Sequence, residues 1–264
     1  MRWPSTTAMH AAGHRRGLCV LTLHRVVAHC EKDHDITWSS FRILLDELAA
    51  RGAVIEARLT AEECLRPGRV ALTFDDGTAD HLRIGEELAR RGMPGVFFIP
   101  AGQVDRPGHL SMPQLRELSA LRHRVGSHGF SHVPLDDEMP PEVVTREVRD
   151  SKKLLEDGVG TAVVYFAPPG GRERASVRHE LPAHGYRASR SMKWGIYGSL
   201  KRRWSIPCIP VTEFTLARGW VMHALRACEL PLAMRSGWAV KRLVPEAVRE
   251  SLRRRLHDPF RAGR

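Results

Sequence analysis

The run V-A-L-T-F-D-D-G, Val70 to Gly77, decides how this chain is read. An apolar stretch with strand character ends in two adjacent carboxylates, Asp75 and Asp76, followed by a glycine that permits a tight turn. Successive side chains of an extended segment point to opposite faces. A turn at Gly77 is therefore needed to swing both carboxylates toward one pocket. Further along, a second strand-like segment, Val125 to Ser127, runs into G-S-H-G-F-S-H and offers His128 and His132.

Neither motif assigns chemistry alone. D-D-G is a common turn, and H-x-x-x-H arises by chance among fourteen histidines. Together, each after a β-rich run and each opening toward a helix, they describe a site for one divalent ion. Carboxylate oxygen and imidazole nitrogen suit zinc, and three protein ligands leave a position open for water. Such water has its pKa lowered to about 7, so a second carboxylate can take its proton while it attacks a carbonyl. The reaction class implied is hydrolysis.

These residues resemble the polysaccharide deacetylase family, also called carbohydrate esterase family 4 or the NodB homology domain, whose first motifs read T-F-D-D-G and H-[ST]-x-x-H. Here they stand as Thr73 to Gly77 and His128 to His132, with Gly129 where Ser or Thr is usual. The resemblance implies Asp75 as general base. It makes Asp76, His128 and His132 the ligands of one divalent metal ion, expected to be Zn2+. The third motif, usually R-P-P-Y-G, is matched by Phe166 to Gly171, where Pro169 and Gly170 are the implied oxyanion and substrate-binding residues. The Gly170 amide is the expected donor to the oxyanion of the tetrahedral intermediate. Two departures stand out. Ala167 occupies the place of an Arg that pairs with the base in many members, so either another cation such as Arg172 substitutes or Asp75 works without one. Gly170 replaces the usual Tyr and removes an aromatic wall of the sugar site.

The family takes its general acid from an L-x-H motif near the C-terminal end of the domain, yet the segment Ser205 to Val211 carries no histidine. Leu18 to Val27, L-C-V-L-T-L-H-R-V-V, is similar instead to the opening strand of permuted members that deacetylate poly-N-acetylglucosamine. His24 is the acid this implies, with His223 in the tail a weaker candidate. The plain alternative is a histidine that ends a buried strand.

Apolar runs suited to strands occur at Leu18 to Val27, Val70 to Phe74, Gly95 to Ile99, Val125 to Ser127, Val163 to Phe166 and Ile206 to Val211, with weaker ones at Ala53 to Ile55 and Tyr186 to Ser189. Helical patterns separate them. Phe41 to Ala50 follows two serines, Thr60-x-x-Glu63 and Ser111-x-x-Gln114 read as capping boxes, Thr78 to Arg91 ends at Gly92, and Pro141 to Glu156 ends before Gly158. Strands alternating with helices predict a parallel α/β sheet. The family resemblance implies a distorted (β/α)7 barrel of the NodB type, a choice periodicity cannot make over a doubly wound sheet.

At 264 residues and 42% hydrophobic, the chain can bury one large core. The expected organisation is an N-terminal extension over 1–17, a deacetylase domain over 18–216 and a basic helical tail over 217–264. Five cysteines without C-x-x-C spacing suggest neither a disulfide framework nor a zinc knuckle. With no signal-peptide pattern and no membrane-length apolar run, the expectation is a cytoplasmic protein acting on an intracellular N-acetylated sugar or glycan precursor. The tail holds eleven Lys and Arg against four acids, seven of the chain's eleven net positive charges. Its apolar residues from Trp238 to Leu256 recur at helical spacing, so peripheral contact with an anionic membrane at the inner face is expected, or else packing on the barrel. Nucleic acid is not an expected partner, because charge outside the tail is diffuse and no recognition motif is present.

The reading is thus a metal-dependent N-deacetylase. Its alternatives are an O-acetyl esterase or another hydrolase of carbon–nitrogen bonds on the same fold, and a catalytically weakened binding protein. Asp75 argues against the last, since metal binding alone does not require it.

Overall fold

The structure, a computed structural model, describes residues 17–135, 139–171 and 175–229. Ten strands occur among these residues: β1 (Leu18–Leu23), β2 (Val26–Val27), β3 (Ile36–Thr37), β4 (Val54–Ile55), β5 (Arg69–Phe74), β6 (Gly95–Ile99), β7 (Arg124–Ser127), β8 (Tyr165–Phe166), β9 (Ala188–Trp194) and β10 (Ile206–Pro210). Strands β5 to β10 follow one another in sequence order, and β1 closes the ring by pairing with both β10 and β5, giving a closed barrel of seven parallel strands. β4 lies beside β5, and β2 pairs with β3 apart from the barrel. Seven α-helices surround it: α1 (Trp38–Ala50), α2 (His81–Arg90), α3 (Met112–Ala120), α4 (Pro141–Val159), α5 (Ala175–Ala183), α6 (Glu213–Ala217) and α7 (Trp220–Glu229). The distorted (β/α)7 barrel expected from the motifs is the fold observed.

Alternation along each strand divides the core in two. Leu18, Val20, Ala71, Phe98, Ala188 and Cys208 pack in one cluster inside the barrel. Leu21, Leu72, Phe74 and Phe97 pack in the other, with Phe41, Leu44 and Leu88 of the helices. Burying a side chain of this size contributes about 1.5–3 kcal/mol, so these two layers dominate the stability. α7 belongs to the outer layer through Val221, Leu225 and Cys228, all buried. The amphipathic stretch from Trp238 to Leu256, on which the membrane expectation rests, lies outside the described residues, as does the N-terminal extension. No helix among the described residues is long and apolar enough to cross a membrane.

Several expected boundaries move, for identifiable reasons. The run Leu18 to Val27 is two strands, broken at His24 and Arg25. α2 starts at His81 rather than Thr78, and the Ala79 amide before it donates to the Gly108 carbonyl at 2.9 Å. α4 runs on to Val159 and ends at Gly160, which adopts φ 71. Gly158 is instead inside the helix, where a Cβ would stand 2.2 Å from Met112. Ser111 and Gln114 form the expected capping box, but Thr60 does not: the segment is a single 3-10 turn, Glu62–Leu65, without a side-chain cap. Arg66, preceding Pro67, is held extended at ψ 154, which stops the turn. β9 runs past Ser189 to Trp194, through a polar stretch that reads as loop.

A buried histidine ties α2 to the sheet. His123 Nδ1 accepts from the Gly95 amide at 3.0 Å, and Nε2 donates to the Gly85 carbonyl at 2.9 Å. Both nitrogens are satisfied only by the neutral ring. Burial pushes the His123 pKa down, with the Gly85 bond opposing. An unfolded histidine titrates near 6.5, so the unfolded chain binds the extra proton first as pH falls, and stability present above about 6.5 is lost below it. Urea midpoints should therefore fall from pH 7 to pH 5. A His123→Gln variant should start about 1–3 kcal/mol less stable but show a flatter pH slope, and an unchanged slope would remove His123 from the effect.

Candidate metal and active site

The site sits where strands end. Thr73 lies inside the barrel, its hydroxyl 2.9 Å from that of Thr22, and two residues on, Asp75 faces the same way. Its amide donates to the Leu23 carbonyl at 3.0 Å, which extends the β1–β5 ladder to the carboxylate and sets it beside His24. The expected turn comes one residue early: Asp76 itself takes φ 78 before Gly77 at φ 60. A left-handed non-glycine residue costs of the order of 1–3 kcal/mol and persists only where its surroundings enforce it. Asp76 is thereby aimed away from the barrel interior and toward the histidines.

His128 follows β7 directly, and His132 is reached through a loop that ends in a second left-handed residue, His132 at φ 62. The loop is gripped from both sides. Glu147 of α4, buried, accepts from the Phe130 amide at 2.7 Å, the Ser131 amide at 2.9 Å and the Ser131 hydroxyl. The carbonyls of Gly129 and Phe130 accept from Ala101 and Gly102 at 3.0 and 2.8 Å. Gly129, the departure from Ser or Thr, has φ 78, and a Cβ there would stand 3.1 Å from Glu147 Oε2. Glu147 was not foreseen, since a lone Glu on an amphipathic helix carries no sign of facing inward.

Asp76 Oδ1 stands 3.1 Å from His132 Nε2 and 3.5 Å from His128 Nε2, and one ligand atom from each residue falls within a 4.8 Å set. The donor set fits a divalent cation. Donors of a tetrahedral zinc site with bonds of about 2.1 Å stand about 3.4 Å apart. His128 Nδ1 donates to the Ala167 carbonyl at 2.6 Å, so in the neutral ring its Nε2 presents a lone pair toward a carboxylate oxygen. Two acceptors facing each other need a cation or a proton between them, and a ligating imidazole commonly donates its other N–H in this way.

Asp75 is buried and paired with a residue that sequence reading missed. Arg190 of β9, 1% exposed, makes a close salt bridge to Asp75 Oδ2. Its guanidinium lies 5.4 Å over the Phe98 ring and 2.8 Å from Met192 Sδ. Arg190 thus supplies the cation absent at Ala167. Arg172, the substitute suggested by sequence, lies outside the described residues. Burial by itself would raise the Asp75 pKa, but Arg190, then His128 and His24, outweigh it and hold the carboxyl below its usual value. At Asp76 burial is likewise outweighed, by hydrogen bonds to His128 and His132. Both carboxylates are ionised at neutral pH.

His24 Nε2 lies 4.0 Å from Asp75 Oδ2, which brings the N-terminal histidine to the base. Its ring is flanked by His34, centroid to centroid 4.9 Å, from the loop before β3. Burial first, then His24, pushes the His34 pKa down to about 4, so that ring is neutral. His34 lies in a polar loop and gave no sequence signal. Pro169 packs toward Gly129, whose Cβ would be 3.4 Å from it. Gly170 is exposed at φ 67 with open space around its Cα. The structure therefore gathers His24, Asp75, Asp76, His128, His132 and the Pro169–Gly170 turn at one end of the barrel. His223, the weaker acid candidate, is exposed on α7.

The comparisons with known proteins agree with this geometry. The profile of the family described as Polysaccharide deacetylase matches residues 62–189. The chain is similar to YxkH of Bacillus subtilis, 25% identical over 134 residues, which are 50% of this chain and 48% of that protein. It is similar also to the peptidoglycan-N-acetylglucosamine deacetylase PgdA of Listeria monocytogenes, 30% identical over 115 residues, 43% of this chain and 24% of that one. The matched stretch thus spans about half of the first relative and about a quarter of the second. In fold the chain resembles IcaB from Ammonifex degensii, with TM-score 0.70 at 23% identity over 82% of this chain and 99% of that one. It also resembles the Streptococcus pyogenes deacetylase PplD, with TM-score 0.69 at 18% identity over 75% and 93%. Residues 62–189, which hold both carboxylates, both histidines and the Pro169–Gly170 turn, belong to the polysaccharide deacetylase family.

Proposed function

We propose that this protein removes acetyl groups from the amino sugars of a glycan, cleaving the amide with a divalent cation held by Asp76, His128 and His132. The supporting observation is the state of Asp75: Oδ2 is held by Arg190, while Oδ1 is buried and has no hydrogen-bond partner. A buried carboxylate oxygen left without a partner, in a carboxyl that feels His128, His24 and Asp76 as neighbours, is arranged to accept a proton. When bound, a divalent cation at this donor set supplies Lewis acidity and lowers the pKa of water beside it.

The chain's own residues account for the proton traffic. Asp75 Oδ1 takes a proton from the attacking water as its oxygen bonds to the acetyl carbon. The Gly170 amide, at the exposed turn after β8, is the proposed donor to the carbonyl oxygen as negative charge gathers there. As the C–N bond breaks, its electron pair stays on nitrogen and His24 protonates it, releasing acetate and a free amine. The substrate class is supported by the similarity to the peptidoglycan-N-acetylglucosamine deacetylase PgdA, and the open space at Gly170 suits a bulky polymer more than an enclosed small molecule. An O-acetyl ester would use the same residues with less need of His24, so acetate release from N-acetylated and O-acetylated sugars separates the two. A pure binding role leaves the charge of Asp75 and the matching burial of Arg190 without purpose.

Three outcomes test this reading. Asp75→Asn should keep zinc, measured by elemental analysis, while amide turnover drops about 10²–10⁴-fold; undiminished turnover would remove Asp75 from the mechanism. His132→Ala should lose zinc and with it chelator-sensitive activity, and full activity in the metal-stripped wild type would sink the metal assignment. Arg190→Met leaves a buried carboxylate unpaired and should cost about 3–5 kcal/mol in urea unfolding, with Arg190→Lys recovering part. Equal stability of all three would mean the pair is not formed in solution.

A further inference from the structure

The start of α2 and the residue before it reach back to the strand end that carries His24. Val26 N–H donates to Asp80 Oδ2 at 2.9 Å, and His81 Nε2 donates to the His24 carbonyl at 2.7 Å. A carbonyl only accepts, so the hydrogen is on Nε2. His81 is 0% exposed and packs against the stacked Phe74 and Phe97 rings, with centroids 6.0 and 5.6 Å away. The main chain around His24 is thus tied on every side: Leu23 by the Asp75 amide, His24 and Val26 by α2, and Arg25 by the Ile36 amide at 3.1 Å. The run Asp75 to His81 both carries the two carboxylates and fixes the imidazole opposite them. β1 ends at Leu23, and the short strand after it begins only at Val26, so no regular ladder holds His24 itself. A general acid on such a break would wander unless other groups pinned its backbone, and a displacement of about 1 Å can cost about a hundredfold in rate.

We propose that Asp80 and His81 are positioning residues that hold His24 at the height above Asp75 from which it can protonate the leaving nitrogen. The inference rests on the reading of His24 as the acid. A merely structural clamp would tie α2 to the barrel and affect every reaction equally. A positioning clamp affects only reactions that need a proton delivered to the leaving group. An amide does, because the amine departs only once protonated. 4-Nitrophenyl acetate does not, because its phenolate leaves unaided.

The test uses the full chain loaded with zinc and compares acetate release from an N-acetylglucosamine oligomer with hydrolysis of 4-nitrophenyl acetate. His81→Leu should lower kcat on the oligomer at least tenfold at unchanged KM while the ester rate falls no more than twofold. His81→Gln, which keeps a donor, should recover most of the loss, and Asp80→Ala should separate the substrates in the same direction. In metal-free protein, the His24 ring signals, assigned by their loss in His24→Ala, should move in nitrogen-edited NMR of His81→Leu and return in His81→Gln. An equal fall on both substrates, or an unmoved His24 signal, would overturn the proposal. If His24→Ala fails to separate the substrates, the acid assignment itself falls. If it separates them and neither His81→Leu nor Asp80→Ala does, only the positioning inference falls. Should His81→Leu not fold, Asp80→Ala carries the same comparison.

Discussion

A charged carboxylate sealed from water governs this structure. Asp75 is 2% exposed, and desolvation of an isolated carboxylate costs several kcal/mol, so the surroundings must either neutralise it or keep it ionised by compensation. The second course is taken. Arg190 crosses from β9 to meet one oxygen, His128 and His24 approach, and the other oxygen is left open. Arg190 must itself be buried to do this, which is why β9 carries Ser189, Arg190 and Ser191 where an interior strand would ordinarily carry aliphatic side chains. Fold and chemistry are coupled at this point: the barrel interior accepts a guanidinium because the site needs a carboxylate.

A second constraint is geometric. Two of the three residues proposed to hold the metal, Asp76 and His132, occupy left-handed backbone conformations that non-glycine residues avoid. Such strain is retained only where neighbours outweigh it. Around His132 the neighbours are Glu147, with three donors on its carboxylate, and the amides of Ala101 and Gly102 on the other face of the loop. Around Asp76 the pinned loop at Gly108 to Leu110 holds the turn through Gly77 and Ala79. The proposed ligand set is therefore held in place by hydrogen bonds from residues outside it.

The third is closure. β1 must pair with β5 along its whole length for the barrel to exist, from Leu18 opposite Arg69 to Leu23 opposite Phe74. The same register sets His24 beside Asp75, so a histidine far from the motifs in sequence becomes their neighbour at no added cost in chain ordering. The short reach from His24 Nε2 to Asp75 Oδ2 follows from the ladder and from the ties to α2.

How much was legible in the chain follows from what each signal depends on. The ends of β5 and β7, the two carboxylates, the paired histidines, the helix start at Ser111 and the alternation of strands and helices are local features, and sequence by itself determined them, because backbone propensity and period-two burial act over a few residues. The family resemblance extended this to the seven-stranded ring and to His24. Arg190, Glu147, His34 and the Asp80–His81 clamp were decided only by the tertiary structure. Each is a polar residue whose role depends on what lies opposite it after the chain has closed on itself. Read locally, strand character fades at Ser189, Arg190 and Ser191 read as loop, and Glu147 is one more charge on a helix face. They become a strand and a loop clamp only when Asp75 and the His128–His132 turn arrive from elsewhere to supply the charge and the donors that make their burial favourable.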